Sequence, residues 1–134
     1  MPVKLEPLRE FAARALETAP KWRRAELAIT FVGDRRIQAL NERWLGRPRP
    51  TDVLSFPMEE PPPPGGPLLM GDIIIAPRQA LADAREEGVT PERKFREIIL
   101  HSILHLMGCD HETLAAARKM EKRRRSILAK METR

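Results

Sequence analysis

Thr90-Pro-Glu-Arg-Lys-Phe-Arg-Glu-Ile-Ile-Leu-His101-Ser-Ile-Leu-His105-Leu-Met-Gly108-Cys-Asp-His111 carries a helix with both ends marked and all three histidines of the chain. Thr90 offers an N-cap, Pro91 suits the first helical position, and the helix runs to about Met107 before Gly108 ends it. Phe95, Ile99, Ile103 and Leu106 recur on one side and predict a packed face. His101 and His105, one turn apart, project from the opposite side and can close on one ion. Gly108 lets the chain turn, and the H-x-x-x-H-x-x-G-x-x-H spacing returns His111 to the same point. Three neutral imidazoles at about 2.0–2.1 Å suit zinc, one per chain, and leave a fourth position open for water. Glu97 and Asp110 are candidates to orient the imidazoles from behind.

Outward from this segment, the pattern alternates between helix and strand. Leu8 to Ala19 reads as an amphipathic helix with Pro7 in its first turn, and Pro20 stops it. Glu26 to Val32 reads as a strand. Asp34 is placed as the cap of a helix ending at Gly46, and Arg47-Pro-Arg49-Pro follows as extended loop. Val53 to Phe56 and Leu68 to Ala76 read as strands, the second with an Ile73-Ile-Ile75 run that suggests burial on both faces. Helices follow from Pro77 to near Gly88 and from about Glu112 to Lys130. The expected fold is α/β of the α+β type, a small mixed sheet packed with about five helices, the metal site lying on a helix and the loop after it. The 134 residues are read as one domain, 1–134, with a Pro/Gly-rich loop at 59–67 acting as a solvated connector.

At 42% hydrophobic and 32% charged, the chain has no apolar run of the roughly 18 residues that span a membrane, and its N-terminus does not resemble a signal peptide. One cysteine, Cys109, excludes an internal disulfide framework and fits a reducing cytoplasm. The net charge of +5 is concentrated: residues 118–134 hold eight Lys/Arg against two Glu, and the rest of the chain is close to neutral. Arg123, Arg124 and Arg125 are therefore candidate contacts to a polyanion such as RNA. The chain has no tyrosine, so base stacking would fall to Trp44, Trp22 or a phenylalanine.

The histidine spacing matches that of a zinc protease, but the glutamate that serves as general base is replaced by Ser102. A protease is therefore disfavoured. Phosphodiester hydrolysis fits both the metal, which can acidify its own water, and the basic tail. Here the chain resembles a known family. HSILHLMGCDH is similar to the H-G-x-L-H-L-x-G-Y-D-H signature of the YbeY family of metal-dependent endoribonucleases, and Leu40 to Pro57 (LNERWLGRPRPTDVLSFP) and Gly71 to Pro77 (GDIIIAP) resemble two further segments of it. The resemblance implies zinc on His101, His105 and His111, single-strand-specific RNA cleavage in 16S rRNA maturation and ribosome quality control, and a cytoplasmic protein that meets the ribosome or ribosomal proteins. It also implies an arginine at position 45, where this chain has Leu45; Arg47 and Arg49 are the candidates to supply that charge. The alternative is a non-catalytic ribosome-assembly factor whose zinc only holds the helix and its following loop together. A zinc hydrolase of some other small substrate fits less well with the basic C-terminus.

Overall fold

Three short β-rich segments form one sheet in the computed structural model, which describes residues 3–58 and 60–132. Two expectations touch residues outside that range: Glu59 of the Pro/Gly-rich loop and Arg134 of the basic C-terminus. The strands β1 (Glu26–Phe31), β2 (Val53–Pro57) and β3 (Leu69–Ile75) lie in the order β1-β3-β2. β3 pairs parallel with β1 and antiparallel with β2, so the last strand in sequence is the central one. That position accounts for its composition. Ile73 and Ile75 are fully buried in the larger core, while Ile74 packs on the other face with Ile37 and Leu54.

The alternation breaks at Gly71. The register against β1 shifts between Glu26 and Leu27, and Gly71 has φ +148°. A Cβ there would collide with the Phe56 carbonyl oxygen of the neighbouring strand, so only glycine fits. The irregularity brings Met70 onto the same core as Ile73 and Ile75.

Among the described residues, five α-helices cover the sheet: α1 (Leu5–Glu17), α2 (Asp34–Leu45), α3 (Pro77–Glu87), α4 (Pro91–Leu106) and α5 (Leu114–Glu132). Residues of α1, α3, α4 and α5 join the larger core, and α2 closes the other face through Ile37 and Leu40. α4 is the centre of the assembly, touching β2, β3, α1, α3 and α5. It therefore buries more than the one expected side: Ile98, Leu100 and Leu104 are buried as well as Phe95, Ile99, Ile103 and Leu106. Each such side chain contributes about 1.5–3 kcal/mol of transfer free energy.

Several boundaries differ from the sequence reading. α1 begins at Leu5, because Pro7 in the first turn removes an N–H that has no helical partner there. It ends at Glu17, where Thr18 Oγ1 donates to the Ala15 carbonyl, and a short 3-10 turn, Pro20–Trp22, follows. Gly33, and not Asp34, is the N-cap of α2, and Asp34 is its first residue. Gly46, in the left-handed conformation, ends α2 as expected.

Candidate metal centre

Two of the three histidines stand on α4, which carries more buried side chains than any other element among the described residues. His101 and His105 lie one turn apart on α4, and their Nε2 atoms are 2.9 Å apart. The third arrives by a turn with a definite hydrogen-bond pattern. Beyond α4, the Gly108 N–H donates to the His105 carbonyl at 2.9 Å and the Cys109 N–H to the Leu104 carbonyl at 3.0 Å. These nested bonds, with Gly108 at φ +95°, form a Schellman-type helix end. A Cβ at Gly108 would meet nothing within 4 Å, so backbone handedness rather than space calls for glycine.

The chain is fixed again just past His111. Asp110 Oδ1 accepts from the Glu112 N–H at 3.1 Å, and Thr113 Oγ1 accepts from the Ala116 N–H at 3.0 Å. Thr113 thus caps α5, which starts at Leu114 and not at Glu112. His111 is held between these two turns. The three imidazole rings form a triangle with centroid separations of 4.5, 5.4 and 5.7 Å.

One ring nitrogen from each histidine lies within 4.8 Å of the other two. Tetrahedral bonds of 2.0–2.1 Å place two ligand nitrogens about 3.3 Å apart, between the 2.9 Å pair and that outer limit. The donor set fits a divalent metal. His101 and His111 are exposed and His105 is half-buried, so the group is open on one side. Desolvation of the ring atoms that face the protein, then the neighbouring imidazoles, lower the pKa of His101; desolvation and His111 lower that of His105, against the charge of Asp110 and a backbone hydrogen bond with Cys109. Both shifts favour the neutral, ligating form at neutral pH.

The histidines open into a cleft of about 1150 Å³ walled by α4, β2, α5 and the segment after α2. Among the cations that line it, most are already neutralised. Arg93 binds Glu97 at 2.9 Å, Lys94 binds Glu87 at 2.6 Å, and Arg124 grips Glu121 through two bonds of 2.7 and 2.8 Å. Those bonds, with a third from Arg125, hold the Glu121 carboxyl down at about 2. Among the described residues, Arg47 and Arg96 line the cleft without an acidic partner.

The candidate residues are thereby separated. Arg47 reaches the cleft; Arg49 does not, and its backbone carbonyl instead accepts from the buried Asn41 Nδ2 at 2.9 Å. Arg124 lines the cleft in its ion pair, Arg125 pairs with the same Glu121, and Arg123 is exposed on α5 outside the cleft. Glu97, expected to orient an imidazole, accepts from Arg93, and Asp110, the other candidate, accepts from the Glu112 backbone while its charge acts on His105. Arg96 is not among the expected residues, because a helical wheel sets it about 140° from His101. Thr51, Asp52 and Ser55 also line the cleft, and the TDVLSFP segment of the sequence is the signal for them.

Comparison with known proteins identifies the family. The family model described as Endoribonuclease YbeY matches residues 2–132. A protein named Endoribonuclease YbeY from Anaeromyxobacter sp. (strain Fw109-5) is 47% identical over 108 residues, 81% of this chain and 55% of that protein. One of the same name from Beutenbergia cavernae is 40% identical over 127 residues, 89% of this chain and 85% of its own length. A solution structure from Thermotoga maritima superposes with a TM-score of 0.59 at 28% identity, covering 98% of this chain and 88% of that one. This chain spans about half the length of the Anaeromyxobacter relative and 66% of one from Azorhizobium caulinodans. With the histidine triangle at the end of α4 and a family match over nearly its whole length, the chain belongs to the YbeY endoribonuclease family.

Proposed function

We propose that this chain is a zinc-dependent endoribonuclease that cuts single-stranded RNA, with a role in 16S rRNA maturation and ribosome quality control. The observation that carries the reading is the open histidine triangle lining a cleft that also holds arginines without an acidic partner among the described residues. His101, His105 and His111 hold the ion. When bound, zinc supplies Lewis acidity toward a phosphoryl oxygen and a nucleophile at neutral pH. Arg47 binds the non-bridging oxygens of the scissile phosphate and steadies the charge that develops there. Arg96 holds a neighbouring phosphate and so fixes the strand across the histidines. Ser102, 2% exposed, leaves no protein base beside the first histidine, which separates this site from a protease. The family resemblance supports a cytoplasmic setting and contact with the ribosome or ribosomal proteins. No helix among the described residues is long and apolar enough to cross a membrane.

The competing reading is a ribosome-assembly factor with a structural zinc site. Leu45 favours it, since an apolar residue lines the cleft where the family resemblance implies an arginine. One experiment separates the two. Purified protein with one equivalent of zinc is assayed on single-stranded and duplex RNA beside a His111→Ala control. Cleavage of the single strand that is lost in the control and on chelation supports the nuclease. Intact RNA in the presence of a correctly loaded site supports the structural role.

A further inference from the structure

Trp44 is 59% exposed, although it is the bulkiest side chain on α2. Its ring is nevertheless held in place. Phe56 of β2 meets it edge-on at 6.2 Å and 63°, and the Arg43 guanidinium lies 5.3 Å from the ring centroid. The chain after it is also fixed: Gly46 ends α2 in a left-handed turn, and Asn41 Nδ2 and Gln38 Nε2 donate to the carbonyls of Arg49 and Pro48 at 2.9 and 3.4 Å. Leu45 and Arg47, beside Trp44 in sequence, line the histidine cleft. A ring with an arginine on one side and a phenylalanine at its edge is still more than half exposed, one residue before Leu45 of the cleft lining.

We infer that Trp44 is the stacking platform for an unpaired nucleobase of the strand entering the cleft, and so a residue that selects single strands over duplex. This rests on the RNA-cleaving reading and identifies part of its specificity. Stacking needs a free base face, which a single strand offers and a duplex interior does not. Two cations suit the phosphates on either side of that base: Arg43 lies over the ring, and Arg47, three residues after Trp44, lines the cleft. The other tryptophan does not share this setting. Trp22 is half-buried against the main core, with Lys21 Nζ 4.9 Å from its ring.

The test uses a Trp22→Phe protein, in which Trp44 is the only indole, titrated with a 12-residue 2′-O-methyl oligoadenylate and with the same oligomer in duplex. The single strand is expected to quench Trp44 emission and the duplex to leave it unchanged. Trp44→Ala in the parent protein is expected to weaken single-strand binding roughly 5- to 100-fold, with Trp44→Phe retaining most of the affinity. Duplex affinity should stay constant across the three, so the single-strand preference falls only in Trp44→Ala. If Trp44→Ala binds and cuts single strands as the parent does, and emission does not move, this inference is overturned and the nuclease reading stands. If the parent neither binds nor cuts RNA, both are overturned.

Discussion

Gly108 and Gly88 form a matched pair that isolates how His111 reaches its place. Both follow a helix, both have positive φ (+95° and +72°), and a Cβ on either would meet nothing within 4 Å. Alanine at either position therefore adds backbone strain alone, about 1–2 kcal/mol. They differ in location: Gly88 precedes α4, and Gly108 leads from α4 to His111. In Gly88→Ala the strain is expected as a drop in melting temperature of roughly 3–8 °C, with zinc affinity unchanged. In Gly108→Ala the metal-free turn can relax to a right-handed form, which swings His111 away, and zinc binding has to restore the strained turn. Affinity should fall by about 5- to 30-fold, the same free energy expressed as an equilibrium constant. Competition with a fluorescent chelator measures the affinity and scanning calorimetry the stability. Parental zinc affinity in Gly108→Ala, or an equal loss in Gly88→Ala, would refute the claim that the handedness of this turn delivers the third ligand.

Three further outcomes are expected. Arg47→Ala should lower single-turnover RNA cleavage roughly 10²-fold, while Arg49→Ala, which keeps its carbonyl bond to Asn41, should change it little; equal losses would place both side chains at the phosphate. Glu121→Gln should release Arg124 and Arg125, tighten RNA binding and steepen its salt dependence by up to about 0.7 in log–log slope for each additional phosphate neutralised, and an unchanged slope would exclude these arginines from the RNA path. Burial, then the charge and hydrogen bond of Asp52, raise the pKa of Asp83, with Lys94 opposing. The folded state then holds that proton more tightly than the unfolded chain, so stability is full below the unfolded value of 3.8 and declines as pH rises through the folded pKa. Asp83→Asn should accordingly raise the melting temperature at pH 7.5 and not at pH 3.5; equal increases at both would point to packing instead.

What can be read from the sequence is mostly local. Thr90 and Gly108 mark the two ends of α4 through bonds spanning three to five residues, and the histidines follow from that helix and its exit turn. The order β1-β3-β2 is not readable, because it depends on pairing between strands far apart in sequence. Gly71 looks like an ordinary glycine in a strand until the Phe56 carbonyl is placed against it. The basic C-terminus shows a different limit. Counting charge marks the tail as the polyanion footprint, yet Glu121 sits three and four residues before Arg124 and Arg125 and binds both. That spacing is visible in the sequence and has a known consequence on a helix.

Pairing also moves the useful charge. With Arg124 and Arg125 engaged, the unpaired cations that line the cleft among the described residues are Arg47, after α2, and Arg96, on α4, both in the part of the chain that is nearly neutral overall. Exposed charges separated by more than about 8 Å are largely screened at physiological salt. A phosphate in the cleft therefore responds to the few unpaired cations around it and hardly at all to the chain's net charge of +5. On the proposed reading, phosphate grip falls to Arg47 and Arg96, which line the cleft together with the histidines, and the tail joins them only where Glu121 lets go.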